Sequence, residues 1–359
     1  MSTEQRVGLL GVASYLPEIR RTNDWWPDET VRRWREAPRL RPPLQDGEPT
    51  PAMARVLAAM AQQDFDPFQG VTERRVLPDH MSSVDMEVRA AQLAIERAGI
   101  DRREIDLLLT HTALPDYLLS NTACVVHHEL GLAGTCFTMQ LDASSHSFQA
   151  QLAIAEQMIL AGRARYALLV QSSASSRLIE PEDSDSVLHG DGASAVVVGP
   201  TATGGLLAAV HRTNGAYSRS LVASVRGGRW YDDGRVVLHR GDPHATARVF
   251  LLTADLSIEV VDAALSQAGV PAAEVDFYAV HQGTPWMRQV TQESIGLDRA
   301  RSVDTFSTTG YLFGASIPLV LETAQRRGLL NRDDIVVING GGNGFTYGAT
   351  VLRWGDPVA

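Results

Sequence analysis

The chain has 359 residues, 44% of them hydrophobic and 21% charged, with 32 Lys and Arg against 42 Asp and Glu, a net charge of −10. That length exceeds one ordinary core of about 100 to 200 residues and implies two packed domains or one large double unit. The composition excludes disordered, collagen-like and coiled-coil chains, and the acidic balance argues against a nucleic-acid partner. No apolar run approaches the roughly 20 residues needed to span a bilayer, and no signal-peptide core follows the N-terminus, so a cytoplasmic protein is expected. Two cysteines cannot form a disulfide framework; Cys124 and Cys136 are expected to be buried packing residues.

In chain order, residues 7–13 read as a first strand. The stretch 25–68, with Trp25, Trp26, Pro42, Pro43 and several arginines, reads as helices plus a surface excursion inserted after it. Residues 94–111 then read as a helix ending at Gly99, a short polar turn and an apolar strand. The same pattern recurs at 264–281 with a constant offset of 170, so that Glu104, Asp106 and His111 correspond to Glu274, Asp276 and His281. A second echo links 159–173 with 326–342. Helix and strand units in alternation imply sheets covered by helices.

Candidate chemistry sits at strand ends. An apolar strand at 137–141 meets small residues at 143–147, and a helix bearing Phe148, Leu152, Ala155, Met158 and Ile159 follows. Such a turn presents one side chain where helix amides favour developing negative charge, which makes Ser145 or Ser147 a candidate nucleophile. Serines before a helix also serve as N-caps, so both readings stand. His189-Gly190-Asp191-Gly192-Ala193 reads as a tight turn before a strand. The segment 212–245, rich in Gly, Arg and aromatics, reads as a loop or short hairpin facing a ligand. His281, with Gln282 and Trp286, follows the strand 277–280 and is placed for acid–base work or for a structural hydrogen bond. The glycine run within 338–354 fits an oxyanion-binding or tight-packing turn. No His, Cys or Asp cluster has metal spacing, since His127 and His128 are adjacent on a helix and point apart.

Read together, these pieces resemble the ketoacyl-ACP synthase III (KAS III) branch of the thiolase superfamily over nearly the whole chain. The matching motifs are GVASYLPEIRRTN at 11–23, GVTERR at 70–75, LPDYLLSNTACVVHHELGL at 114–132, HGDGASA at 189–195, His281-Gln282, GASIP at 314–318 and GGGNGFTYG at 340–348. The resemblance implies an α/β thiolase-like fold of two pseudo-repeated halves in a five-layered α-β-α-β-α arrangement. Residues 1–175 would form the N-terminal half, with an insertion at 25–68, and residues 176–359 the C-terminal half, with an insertion at 212–245.

Where the family carries Cys-His-Asn, the matching positions here hold Ser145, His281 and Tyr311, with Ser144 and Ser147 as alternatives for the nucleophile. The resemblance further implies an oxyanion hole from the amides of Ser145 and of Asn343 and Gly344. It places Trp25, Trp26, Arg32 and Arg33 near the donor's CoA. Arg32, Arg33, Arg35 and Arg39 form a basic patch for a carrier protein, and Leu119 lies across a homodimer interface or in the core. Trp286 and Phe313 join the substrate contacts. No permanently bound cofactor is expected; the donor would be acyl-CoA or a phosphopantetheine-linked acyl-carrier protein.

A serine needs a base, and its oxygen ester is a poor electrophile for a carbanion. The expectation is therefore acyl transfer to a small-molecule hydroxyl or amine in antibiotic or polyketide metabolism. A starter-unit ketosynthase and an inactive partner subunit are the alternatives.

Overall fold

The structure, a computed structural model, describes residues 6–37 and 48–355. Arg39, Pro42, Pro43 and the first five residues lie outside them. In chain order the elements begin with β1 (Val7–Tyr15), β2 (Ile19–Thr22), α1 (Asp28–Glu36), α2 (Pro51–Gln63), β3 (Glu73–Val76), α3 (Ser83–Ala98) and β4 (Ile105–Thr112). They continue through α4 (Thr122–Leu130), β5 (Phe137–Gln140), α5 (Ser147–Leu160), β6 (Tyr166–Ala174), β7 (Asp191–Pro200) and β8 (Gly205–Thr213). The remainder comprises β9 (Val222–Val225), β10 (Val236–His239), α6 (Pro243–Ala268), β11 (Phe277–Val280), α7 (Met287–Ile295), α8 (Phe306–Thr309), α9 (Ser316–Arg326), β12 (Ile335–Gly342) and β13 (Thr346–Arg353).

Two mixed sheets carry the molecule, ordered β1-β7-β6-β4-β5 and β8-β13-β12-β11. The first four strands of one follow the same order and senses as the four of the other: two antiparallel steps, then a parallel one. Helices α5 and α9 lie between the sheets, α3 and α4 cover the outer face of the first, and α6 with α7 the outer face of the second. This is the five-layered thiolase-like arrangement.

Strands buried on both faces need apolar side chains at every position, and they have them. On β4, Leu107 and Leu109 enter the middle layer with Phe148, Leu152, Ile317 and Val320, while Leu108 joins Met86 and Ala90 beneath α3. On β12, Val336 and Ile338 face the middle and Val337 packs with Val260 and Val261 under α6. Each such side chain contributes roughly 1.5–3 kcal/mol of burial, which makes the central layer rigid enough to hold a site at its edge.

The sequence repeat has a structural counterpart. Both α3 and α6 end on a left-handed glycine, Gly99 and Gly269. Asp106 accepts from the amide of Arg165 at 2.7 Å and Asp276 from that of Ile335 at 2.8 Å, each carboxylate tying its strand to the start of a parallel neighbour. Each central helix is entered through a 3-10 turn preceded or opened by a non-glycine residue at positive φ, Ser144 at 53° and Phe313 at 50°.

The 25–68 stretch holds α1 and α2 and is bracketed by the β2–β3 pairing. The 212–245 segment contains the short β9–β10 hairpin. Among the described residues, no helix is long and apolar enough to cross a membrane. One expectation fails: Cys136 is buried but Cys124 is exposed, because it falls on the solvent side of the short helix α4.

Candidate active site

Ser145 sits at the elbow between β5 and α5. Asp142 Oδ1 accepts from the Ser144 amide at 2.6 Å and bends the chain. His111 Nδ1 lies 3.2 Å from the same oxygen, and the interaction with His111 holds the Asp142 carboxyl below its usual range. Ser147 Oγ accepts from the Ala143 amide at 2.8 Å, so its hydroxyl serves the turn in the manner of a cap. Ser145 Oγ, on a residue 1% exposed, is hydrogen-bonded to the Tyr311 hydroxyl.

Tyr311 is brought there by backbone. Its amide donates to the Leu188 carbonyl at 2.6 Å, and its carbonyl accepts from Gly190 N at 3.3 Å. The approach requires glycine: a Cβ on Gly190 would lie 1.9 Å from Thr309 O. The Tyr311 ring stacks on Phe313, centroids 4.5 Å apart, and meets the His281 ring edge-on at 5.2 Å. Burial pushes the Tyr311 hydroxyl up to about 12, against the opposing pull of its bond to Ser145, so it keeps its proton at neutral pH.

His281 follows β11 directly, its amide donating to Asn339 O at 2.9 Å. Burial lowers its pKa to about 4, and its Nε2 has no hydrogen-bond partner among the described residues. The ring is therefore neutral at pH 7 and able to accept a proton. The structure thus brings Ser145, Tyr311 and His281 together, with Tyr311 as the serine's direct partner.

The glycine run forms the turn between β12 and β13. The expected contact with Ser145 through Asn343 and Gly344 is displaced. A Cβ on Gly342 would fall 2.9 Å from the Ser145 amide nitrogen and 2.2 Å from Ala143 O, so Gly342 is the residue against the elbow. Asn343 lines the adjoining cavity, where its Oδ1 accepts from Ser220 Oγ at 3.5 Å, whereas Gly344, at φ 124°, does not line it. Gly342→Ala should drive the elbow apart, because both obstructing atoms are backbone. A loss of about 1–3 kcal/mol in chemical denaturation is expected; unchanged stability would mean the loop and elbow are not in contact.

The other expected substrate contacts divide. Trp25 is 45% exposed, with the Arg21 guanidinium 3.8 Å over its ring. Trp26 instead is buried, donates to Ser186 Oγ at 3.0 Å and packs with Trp34 and Phe68, so it is a core residue. Arg32 and Arg33 are exposed on α1. Leu119 is 96% exposed beside Tyr117 and Leu118, not in this chain's core. Trp286 is buried between α2, α6 and α7 with Val56 and Phe250, and does not line the cavity. Phe313 backs Tyr311.

Several histidines near the site went unread in the sequence. His146, adjacent to Ser145, is buried; its Nε2 is 2.8 Å from Nδ1 of His211 at the exposed end of β8. Burial, with the neighbouring His211, lowers its pKa to about 3. His189 lies inside the HGDGA motif, lines the cavity and stacks on Phe313. Its presence in a quoted motif was the available signal.

Two family models match parts of the chain. Residues 139–215 match the family 3-oxoacyl-[acyl-carrier-protein (ACP)] synthase III, and residues 265–354 match its C-terminal model. The chain is similar to the FabH 3-oxoacyl-(acyl carrier protein) synthase III of Pseudomonas aeruginosa, at 26% identity and a TM-score of 0.78 over 99% of this chain and 100% of that one. It also resembles the Aquifex aeolicus synthase III (24%, TM-score 0.78, 98% and 100% covered). A cysteine-to-serine variant of Xanthomonas campestris OleA, crystallised with lauric acid and lauroyl-CoA, shares the fold (21%, TM-score 0.75, 98% and 100% covered).

The fold is thiolase-like. Within it, residues 139–215 and 265–354 carry a likeness to the synthase III family models.

Proposed function

We propose that this enzyme moves a short acyl group from an acyl-CoA or acyl-carrier-protein thioester, through an ester on Ser145, to a hydroxyl or amine of a small-molecule acceptor. The observation that carries the reading is Ser145 Oγ bonded to the Tyr311 hydroxyl, beside the open Nε2 of a neutral His281. His281 takes the serine proton as Oγ attacks the thioester carbonyl, and Tyr311 donates to the developing alkoxide. The amide of Ser145, in the 3-10 turn that leads into α5, with the Gly342 turn beside it, holds the carbonyl oxyanion. Collapse expels the thiolate, which recovers the proton from His281. The acceptor then loses its proton to His281 and attacks the ester, and as the C–O bond to Ser145 breaks, Oγ recovers that proton from His281.

Tyr311 stands where the resembling family carries asparagine, which weakens enolate stabilisation and favours transfer over decarboxylative condensation. The alternative, a starter-unit ketosynthase of antibiotic or polyketide metabolism, draws support from the two family models, both of which describe synthases. Exposed apolar surface supports a homodimer: Tyr117, Leu118 and Leu119 are exposed, as is Phe137 on the edge strand β5. Such a surface is costly to leave in water.

Intact-mass analysis after incubation with acetyl-, propionyl- or malonyl-CoA tests the reading. The wild type should gain one acyl mass and Ser145→Ala none. An adduct missing from the wild type, as an inactive partner subunit would give, or persisting in Ser145→Ala, would overturn it. Carbon dioxide released from malonyl-CoA would transfer support to the ketosynthase.

A further inference from the structure

The cavity beside the site is lined by apolar and polar groups together. From α6 come Val249, Phe250 and Leu256, with Thr246, Thr253 and Ser257 among them, and Leu221 and Phe345 add apolar surface. His189, Asp185, Arg240 and Ser220 line the same cavity. Arg240 binds Asp185 in a fork, Nε to Oδ2 at 2.7 Å and Nη2 to Oδ1 at 2.6 Å, so the pair is neutral as a unit. His189 is buried, and its Nδ1 has no hydrogen-bond partner among the described residues. Its ring belongs to one aromatic row with Phe313, Tyr311 and His281, which fixes its distance from the reacting serine.

A cavity built only to hold an alkyl chain would not place a buried, unpartnered imidazole on its lining, since that nitrogen loses water without a replacement bond, nor set an ion pair beside it. Because His189 is neutral and Asp185 and Arg240 cancel, the complement of these groups is a neutral hydrogen-bonding group rather than an anion or a cation. We propose that the acceptor is amphipathic and bears, besides the hydroxyl or amine that takes the acyl group, a second neutral polar group held by His189 and the Asp185–Arg240 pair. Its apolar body lies against the apolar side chains of α6. The inference rests on the acyl-transfer reading, yet it concerns binding and can be tested without turnover.

Isothermal titration of the unacylated protein with 1-hexanol and with 1,6-hexanediol provides the test. The diol should bind about tenfold more tightly, the scale of one hydrogen bond to a desolvated partner. Its carboxylate counterpart, 6-hydroxyhexanoate, should bind more weakly than the diol. The ratio of diol to hexanol affinity should fall to about one in His189→Phe, which keeps an aromatic ring on Phe313. It should also fall in the double variant Asp185→Leu/Arg240→Met, which removes both charges without stranding either. A wild-type ratio near one, a preference for the carboxylate, or a preference retained in both variants would overturn the inference. Acylation of Ser145 would still stand in each of those cases, whereas an absent adduct would sink the transfer reading and leave the ratio unaffected.

Discussion

Tyr311→Phe is expected to slow acylation of Ser145 by roughly ten- to a hundredfold, the scale of one hydrogen bond to a charged partner lost from the nucleophile oxygen. The tyrosine hydroxyl is the only group hydrogen-bonded to Ser145 Oγ among the described residues, and burial keeps it protonated to about 12. It therefore has one proton to give. If it gives that proton to Oγ, the serine's own proton is free for His281, and the alkoxide is stabilised as it forms. Phenylalanine keeps the ring contacts with Phe313 and His281 but leaves the alkoxide without a donor. Quenched-flow mass analysis with acetyl-CoA reads the rate directly, and loading at the wild-type rate would show that Tyr311 only fills space.

Tyr311→Asn separates the two chemistries further. Combined with Ser145→Cys, it restores the residue types of the resembling family, and carbon dioxide release from malonyl-CoA should rise from the level of the parent. No rise would mean that residues other than these two decide between transfer and condensation.

Much of this architecture is legible in the sequence because it is written locally. The helix–glycine–strand units at 94–111 and 264–281 carry their own stop signals, and the resulting α3–β4 and α6–β11 units end on left-handed Gly99 and Gly269. The elbow at Ser145 is legible for the same reason: an apolar strand, small residues and an amphipathic helix follow within a few positions. Partners across the fold leave no such trace. The Ser145–Tyr311 bond joins residues 166 apart, and the His146–His211 pair spans the central helix layer and the second sheet. Adjacent tryptophans likewise look alike in sequence, yet a 3-10 turn sends Trp25 to solvent and Trp26 into the core with Arg74 stacked on it. Helical phase decides Cys124, and a nine-residue helix is too short to display its phase clearly.

Acid should unfold this protein well before its carboxylates are all protonated. Burial lowers the histidine pKa to about 3 at His146 and about 4 at His189 and His281. In the unfolded chain each titrates near 6.5. Between pH 6.5 and about 4.5 the unfolded state therefore takes up three protons that the folded state refuses. Burial acts oppositely on Glu87, whose carboxyl is pushed up to about 7. Folded, it holds a proton that the unfolded chain has released above about 4.5. Three protons against one leave a net uptake of about two on unfolding, so stability falls with decreasing pH by up to about 2.7 kcal/mol per unit. Asp191, raised by burial as well, trims the lower end of that window.

The stabilising contribution of the neutral histidines is fully present above pH 6.5 and is lost as acid approaches their folded values. Urea midpoints at pH 7.0, 6.0 and 5.0 should decline steeply, and His189→Phe should flatten the slope by about one proton. Midpoints that stay level or rise on acidification would mean the histidines are solvated in the folded state. The same three rings surround the serine and its cavity, so a stability loss of this size ties the enzyme's working range to neutral or alkaline pH. In that range His281 is both unprotonated and held in place.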